Sequence, residues 1–198
     1  KARRAIVALP PHLAVRLEYV PPLLPAKDHL LNRMPQGHTI KAIPVYSRPF
    51  WKEKGFSGEV VSDGLLSWCV DNSNSGMPSL LCFIGGAKAV EFSPKSSGER
   101  KSAVLSLLAK YFGEEALHPV EYIEKDWGLE PFTGGCPVGS ANGNTIVQFG
   151  HMLREAHMKN VNGTGGLIRF GGTETATVWY GFMNGAIQSG QRCAIEVM

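Results

Sequence analysis

Three places in the sequence carry residue types that could do chemistry. The first is a strand-like run, Leu167-Ile168-Arg169-Phe170, that passes directly into Gly171-Gly172-Thr173-Glu174-Thr175-Ala176 and then into a helix from Gly181. Strand, glycine turn and helix in that order present backbone N–H groups and the positive end of a helix to an anionic or electron-rich ligand. The competing reading is an ordinary tight strand-to-helix turn. The second is Thr133-Gly134-Gly135-Cys136-Pro137, a close-approach turn with a thiol at its tip; elsewhere Cys is most often a small buried hydrophobe. The third is Lys41, which sits between Ile40 and Ala42 in an apolar strand pattern. It either snorkels to water or occupies a cavity where desolvation lowers its pKa.

Other chemistries find less support. His151 and His157 are six apart and cannot share a helical face as i, i+4 ligands do, so no metal is expected. The phosphate-binding G-x-G-x-x-G fingerprint and the G-x-S-x-G nucleophile motif do not occur. Asp126-Trp127 and Trp51 read as core or domain-junction aromatics.

The elements that must position these residues can be read from spacing. Residues 5–9 form a short apolar strand stopped by Pro10-Pro11, and residues 13–20 alternate well enough for a half-buried strand ended by Pro21-Pro22. Residues 26–33 hold a short helix. His38 to Tyr46 is a strand with Ile40, Ala42, Pro44 and Tyr46 on one face and Thr39, Lys41, Ile43 and Val45 on the other. Strands over 58–62, 66–71 and 79–84 follow as an antiparallel meander. The clearest helix begins after Pro94: Ser96 and Glu99 have capping-box spacing, Val104, Leu107, Leu108 and Tyr111 recur at helical period, and Gly113 supplies the stop. A strand at 119–125 leads to Trp127. A last helix over 181–197 carries Phe182, Ala186, Ile187, Cys193, Ala194 and Val197 on its apolar side.

Composition bounds the partners. With 20 basic against 17 acidic residues, a net charge of +3 over 198 residues and no run of about five or six like charges, there is no strong field for nucleic acid or anionic lipid. No stretch approaches the roughly 18 apolar residues that span a bilayer. The four cysteines contain no C-x-x-C and suggest a reducing compartment. Most of the 23 glycines lie after Gly128, the best internal boundary. Because the chain starts at Lys1 and enters a strand pattern at once, a segment of something longer is expected.

In order along the chain, Ile6-Val7-Ala8-Leu9-Pro10-Pro11, the segment from Gly37 through Ile40-Lys41 to Pro49-Phe50-Trp51, Glu124-Lys125-Asp126-Trp127, Thr133-Gly134-Gly135-Cys136, and Gly172-Thr173-Glu174-Thr175-Ala176-Thr177 with Trp179 and Gly181-Phe182-Met183-Asn184-Gly185-Ala186 resemble the flavin-containing amine oxidase family, in its monoamine oxidase branch. The resemblance implies an α/β protein with the two-domain fold of that family: a nucleotide-binding unit upstream of Lys1, residues 1–10 and 129–198 in the FAD-binding domain, and residues 11–128 in an α+β substrate-binding domain. It implies FAD attached through Cys136 and contacted by Gly172, Thr173, Glu174, Phe182 and Met183. Lys41 matches the lysine that holds a water near flavin N5. The helix from Phe182-Met183 would point its N-terminus at the flavin pyrimidine edge, in keeping with the favourable placement of negative charge at a helix start.

The chemistry so implied is oxidation of a small amine to an imine that hydrolyses to an aldehyde, with oxygen reduced to hydrogen peroxide. Two departures bear on the substrate. Monoamine oxidases frame the amine between two tyrosines, and those positions are Pro137 and Phe182 here. Polyamine or L-amino-acid oxidation, and a catalytically reduced relative serving as a binding module, are therefore the alternatives. An insertion around Asn160–Gly166 is expected to extend a surface loop. The resemblance further implies a homodimer, with anchoring to the outer mitochondrial membrane if an apolar helix follows Met198 and a cytoplasmic protein otherwise.

Overall fold

A computed structural model describes residues 2–74, 76–141, 143–158 and 166–198. In chain order the elements are β1 (Ala5–Val7), α1 (Pro11–Ala14), α2 (Pro25–Asn32), β2 (Thr39–Val45), α3 (Phe50–Glu53), β3 (Val60–Val61), β4 (Trp68–Asp71), β5 (Leu80–Gly85), α4 (Ala87–Phe92), α5 (Ser97–Phe112), β6 (Glu121–Asp126), α6 (Gly143–Phe149), β7 (Ile168–Phe170) and α7 (Met183–Val197). They form two compact units, Lys1–Gly37 with Pro131–Met198, and His38–Glu130.

The second unit is an antiparallel sheet in the order β3-β4-β5-β2-β6. The expected strands are all present, and the β2 register sets Lys41 opposite Phe83 on one side and Lys125 on the other. Ile40, Ala42, Leu80, Cys82 and Ile84 enter the core from the sheet and meet Val104, Leu105, Leu108 and Phe112 of α5. The capping box forms as its spacing predicts: the Glu99 amide donates to the Ser96 hydroxyl, and the Glu99 carboxylate accepts from the Ser96 amide at 2.9 Å. Gly113 ends the helix at φ +100°. The buried stripe is rotated from the expected one, however. Phe112 points inward and Tyr111 is 40% exposed, because the line facing the sheet runs through Val104, Leu108 and Phe112 with Leu105 beside it.

The first unit pairs β1 with β7 in parallel, with Ile6 opposite Arg169. Its core joins Leu23, Leu30, Leu31 and Met34 to Leu153 and Phe170. That cluster packs residues 11–37 with the first unit. The expected strand over 13–20 is corrected. Pro10 is extended (φ −53°, ψ 145°) and Pro11 takes the first helical position, where its missing N–H costs nothing, so α1 forms and buries Leu13 and Ala14. Lys27, on α2, is buried with its ammonium 3.5 Å from the Phe170 ring centroid.

On α7 the apolar side also differs from expectation. Gly185, Ser189 and Cys193 are buried, while Phe182, Met183, Ile187 and Ile195 are exposed. Small residues every fourth position let the helix backbone lie against the turn before it; a Cβ at Gly185 would overlap the Trp179 carbonyl. Residues 160–165 of the expected insertion lie outside the described residues. Among the described residues no helix is long and apolar enough to cross a membrane.

Candidate functional site

Two loops and one helix end meet in the first unit. β7 runs out at Phe170, and Gly172 turns at φ +111° into a single helical turn, Thr173–Thr175. Glu174 is buried, and its Oε1 accepts the Gly139 amide at 3.1 Å. The Tyr180 hydroxyl donates to the Gly139 carbonyl. Gly139 is thereby held through both its amide and its carbonyl, which ties the loop carrying Cys136 to the one carrying Glu174. The Thr173 hydroxyl accepts from the Gly181 amide at 2.7 Å and donates to the Phe182 carbonyl at 3.1 Å. Arg192 of α7 donates to the Phe170 carbonyl at 2.7 Å and to the Thr175 hydroxyl at 3.0 Å. The N-terminus of α7 is thus stapled to the glycine turn.

Phe182 takes the N-cap position of α7 in extended conformation, and its side chain cannot cap the helix. The first-turn N–H groups are left to a ligand or to water. Around this end Trp179, Phe182 and Met183 are 60%, 62% and 83% exposed. Trp179 holds φ +57°, uncommon for a bulky residue, while its carbonyl accepts the Phe182 amide at 3.0 Å.

The Thr133–Pro137 turn is built by contact between backbones. Gly134 and Gly135 have φ +62° and +145°. A Cβ at Gly135 would run into the Gly37 carbonyl, and one at Gly134 into the His12 ring. The Cys136 amide donates to the Gly37 carbonyl at 2.9 Å, leaving the side chain half-buried. Beside the turn the ring nitrogens of His12, the Gln36 carbonyl oxygen and the Thr133 hydroxyl are buried without a hydrogen-bond partner among the described residues. Burial, with the Arg16 charge second, lowers the His12 pKa. Unsatisfied polar atoms, an uncapped helix start and exposed aromatic surface together suit a planar ligand with polar edges and an anionic arm, and FAD has that character. The structure brings the loops of Cys136, Gly172, Thr173, Glu174, Phe182 and Met183 together.

Lys41 belongs to the second unit. It is half-buried on the β2 face opposite the core, with its ammonium 5.4 Å from the Phe83 ring centroid and 5.8 Å from that of Trp127. The Trp127 indole N–H is buried and unpartnered among the described residues. Asp126 fixes the turn that carries Trp127: its carboxylate accepts from His38 Nε2 at 2.9 Å, Ser93 Oγ at 2.5 Å and the Gly128 amide at 2.9 Å. Burial raises the Asp126 pKa, but the bonds from Ser93, His38 and Gly128 outweigh it and leave the carboxyl below its ordinary value.

A folded-state pKa below the unfolded value near 4 means that the stabilisation is complete above that value and is lost as pH falls through the folded one. Asp126→Asn is therefore expected to cost about 1–3 kcal/mol near neutrality. The gap between variant and wild type should close as the carboxyl protonates. Urea unfolding of both proteins at neutral and acid pH reads this directly; a gap that does not change with pH would contradict the assignment.

His12, His38 and Tyr180 were not singled out by residue type or spacing. Their partners are 122, 88 and 41 positions away at Gly134, Asp126 and Gly139. For His38 the only sequence cue is that it precedes a strand whose antiparallel partner ends at Asp126.

A family model for flavin-containing amine oxidoreductases matches residues 1–198. A probable flavin-containing monoamine oxidase A of Dictyostelium discoideum is 38% identical over 200 residues, covering 100% of this chain and 42% of that protein. An L-amino acid dehydrogenase of Synechocystis is 38% identical over 199 residues, covering 98% of this chain and 40% of that protein. Among solved structures, a putrescine oxidase bound to putrescine superposes with a TM-score of 0.89 at 33% identity, over 99% of this chain and 42% of that one. The chain spans about two fifths of the length of these relatives.

Proposed function

Because this chain belongs to the flavin-containing amine oxidoreductase family, we propose that the whole protein oxidises a small amine with FAD as cofactor and oxygen as electron acceptor, yielding an aldehyde through its imine, and hydrogen peroxide. The observation that carries this reading is the double tie at Gly139, which sets the Cys136 loop, the Glu174 turn and the uncapped start of α7 in one place. When bound, FAD supplies the hydride acceptor and the route for electrons to oxygen. The protein has to hold, orient and keep dry.

In this reading Cys136 provides the sulfur that tethers the cofactor, and the Gly172-Thr173-Glu174 turn lies along its ribityl and phosphate region. Glu174 acts from behind: its carboxylate is occupied by the Gly139 amide, so it shapes the turn. The first-turn amides of α7 favour negative charge at the pyrimidine edge. Lys41 holds a water at the reacting side. Pro137 and Phe182 stand where monoamine oxidases carry tyrosines, so the walls toward the amine are apolar and have no hydroxyl. The first unit then forms part of the FAD-binding domain and the second the substrate-binding domain.

The missing hydroxyls favour a second reading within the same chemistry, a polyamine or L-amino-acid substrate; similarity to an L-amino acid dehydrogenase and a putrescine oxidase supports it. A panel of primary monoamines, diamines and L-amino acids, scored by peroxide release from the full-length protein, separates the two. Peroxide from an arylalkylamine supports the first reading, and peroxide confined to diamines or amino acids supports the second. No peroxide from any member would leave the binding-module alternative standing.

A further inference from the structure

Cys69 and Cys82, the two cysteines of the second unit, take no part in the site described above. They lie directly opposite each other on β4 and β5, both fully buried, with Sγ atoms 3.0 Å apart. The Asn72 amide donates to the Ser79 carbonyl at 2.8 Å in the same register. Counting back from that bonded pair, the alternation makes Cys69 and Cys82 a non-hydrogen-bonded pair, the kind in which facing side chains approach most closely. Two cysteines so placed are within the reach of a cross-strand bridge without movement of either strand.

Access is the remaining requirement, since a buried thiol is ordinarily inert. Contact with Cys69, together with burial, holds the Cys82 thiol well above its usual pKa, so the closed sheet protects the pair. The protection is thin on one side. On the side away from β5, β4 is covered by β3, two residues long, whose Val60 sits opposite Cys69 and whose Val61 is 76% exposed. A short edge strand is the kind of element that opens locally without global unfolding.

We propose that Cys69 and Cys82 are an oxidative modification site that closes to a disulfide when the protein meets hydrogen peroxide. The sulfur of Cys69, on the strand nearer the edge, gives its proton to water and attacks one peroxide oxygen. The O–O bond breaks, leaving a sulfenic acid on Cys69 and releasing one water. The Cys82 sulfur then displaces the hydroxyl of that sulfenic acid, and the Cys82 proton leaves with it as a second water. Two thiols are oxidised by two electrons and one peroxide is reduced to two waters. The site accepts peroxide from any source, so its test does not depend on the proposed amine chemistry.

The test exposes the full-length protein to reagent hydrogen peroxide at a dose that oxidises glutathione in the same tube, removes the excess with catalase, denatures in N-ethylmaleimide and maps the peptides by mass. The expected result is a disulfide-linked pair of peptides carrying Cys69 and Cys82, neither alkylated, which dithiothreitol separates. The bridge closes a short loop, so the melting temperature of the treated protein should rise by about 5 °C. Cys69→Ala and Cys82→Ala should each lose the link and the shift. Complete alkylation of both cysteines in the treated wild type overturns the proposal, as does oxidation of either to a sulfinic acid without a link. These outcomes are read on wild-type protein and stand even if a variant fails to fold.

Discussion

Cys136→Ala should convert the full-length protein from one that keeps its flavin through acid precipitation to one that releases it. The effect is all or none because a thioether survives denaturation and a network of hydrogen bonds does not. The substitution is well suited to the question. Ala retains the Cβ and the amide, so the bond from the Cys136 amide to the Gly37 carbonyl persists, and so does the turn set by Gly134 and Gly135. The lost sulfur is half-buried, and its removal should cost about 1 kcal/mol of stability. The variant therefore folds and still offers the Glu174 turn and the start of α7 to the cofactor. Yellow supernatant from the variant and yellow pellet from the wild type confirm the tether. Yellow supernatant from both means that Cys136 carries no cofactor, although family membership is untouched. Yellow pellet from both means that attachment runs through a different residue.

The parts of this molecule that could be read in advance are those whose cause is local. The capping box at Ser96 and Glu99 involves residues three apart, and the strand at His38–Tyr46 shows its two faces in its own alternation. The glycines of the two turns also carry their own explanation, since φ values of +62°, +145° and +111° favour the residue without a Cβ. What could not be read has its cause elsewhere in the chain. Val15 and Leu17 look like a strand, yet the fixed backbone of Pro10-Pro11 starts a helix before them. α7 carries more apolar bulk on its exposed side than on its buried one, because the turn it packs against requires Gly185, Ser189 and Cys193. The unit boundary at residue 37 follows from Leu30, Leu31 and Met34 meeting Leu153 and Phe170, which no window along the chain contains. The site was legible as motifs because glycine turns announce themselves. Its braces, His12, His38 and Tyr180, were not, because a single hydrogen bond or ring contact to a distant backbone leaves no period.

Lys41→Met should slow reaction of the loaded protein with oxygen by about two orders of magnitude while leaving the anaerobic step with amine much less affected. Oxygen acquires negative charge as it is reduced, and a positive ammonium nearby lowers the cost of that charge. In the proposed reading oxygen is reduced close to that ammonium; two unit charges about 5 Å apart at an effective dielectric near 20 are worth about 3 kcal/mol, which corresponds to about a hundredfold in rate. Met isolates this contribution. Its unbranched stem follows that of lysine, and its sulfur makes favourable contacts with aromatic rings such as those of Phe83 and Trp127, between which the Lys41 ammonium lies. β2 is bonded on both sides, to β5 and to β6, so the backbone under residue 41 does not shift when the side chain changes. Stopped-flow mixing of the reduced protein with oxygenated buffer gives the rate directly, and repeating it at raised ionic strength checks that the difference between the two proteins is electrostatic. An oxygen rate equal to that of wild type would remove Lys41 from the reaction and leave it as a lysine stem covering two aromatic rings. Equal losses in both half-reactions would instead place its effect on the binding of the cofactor or the amine.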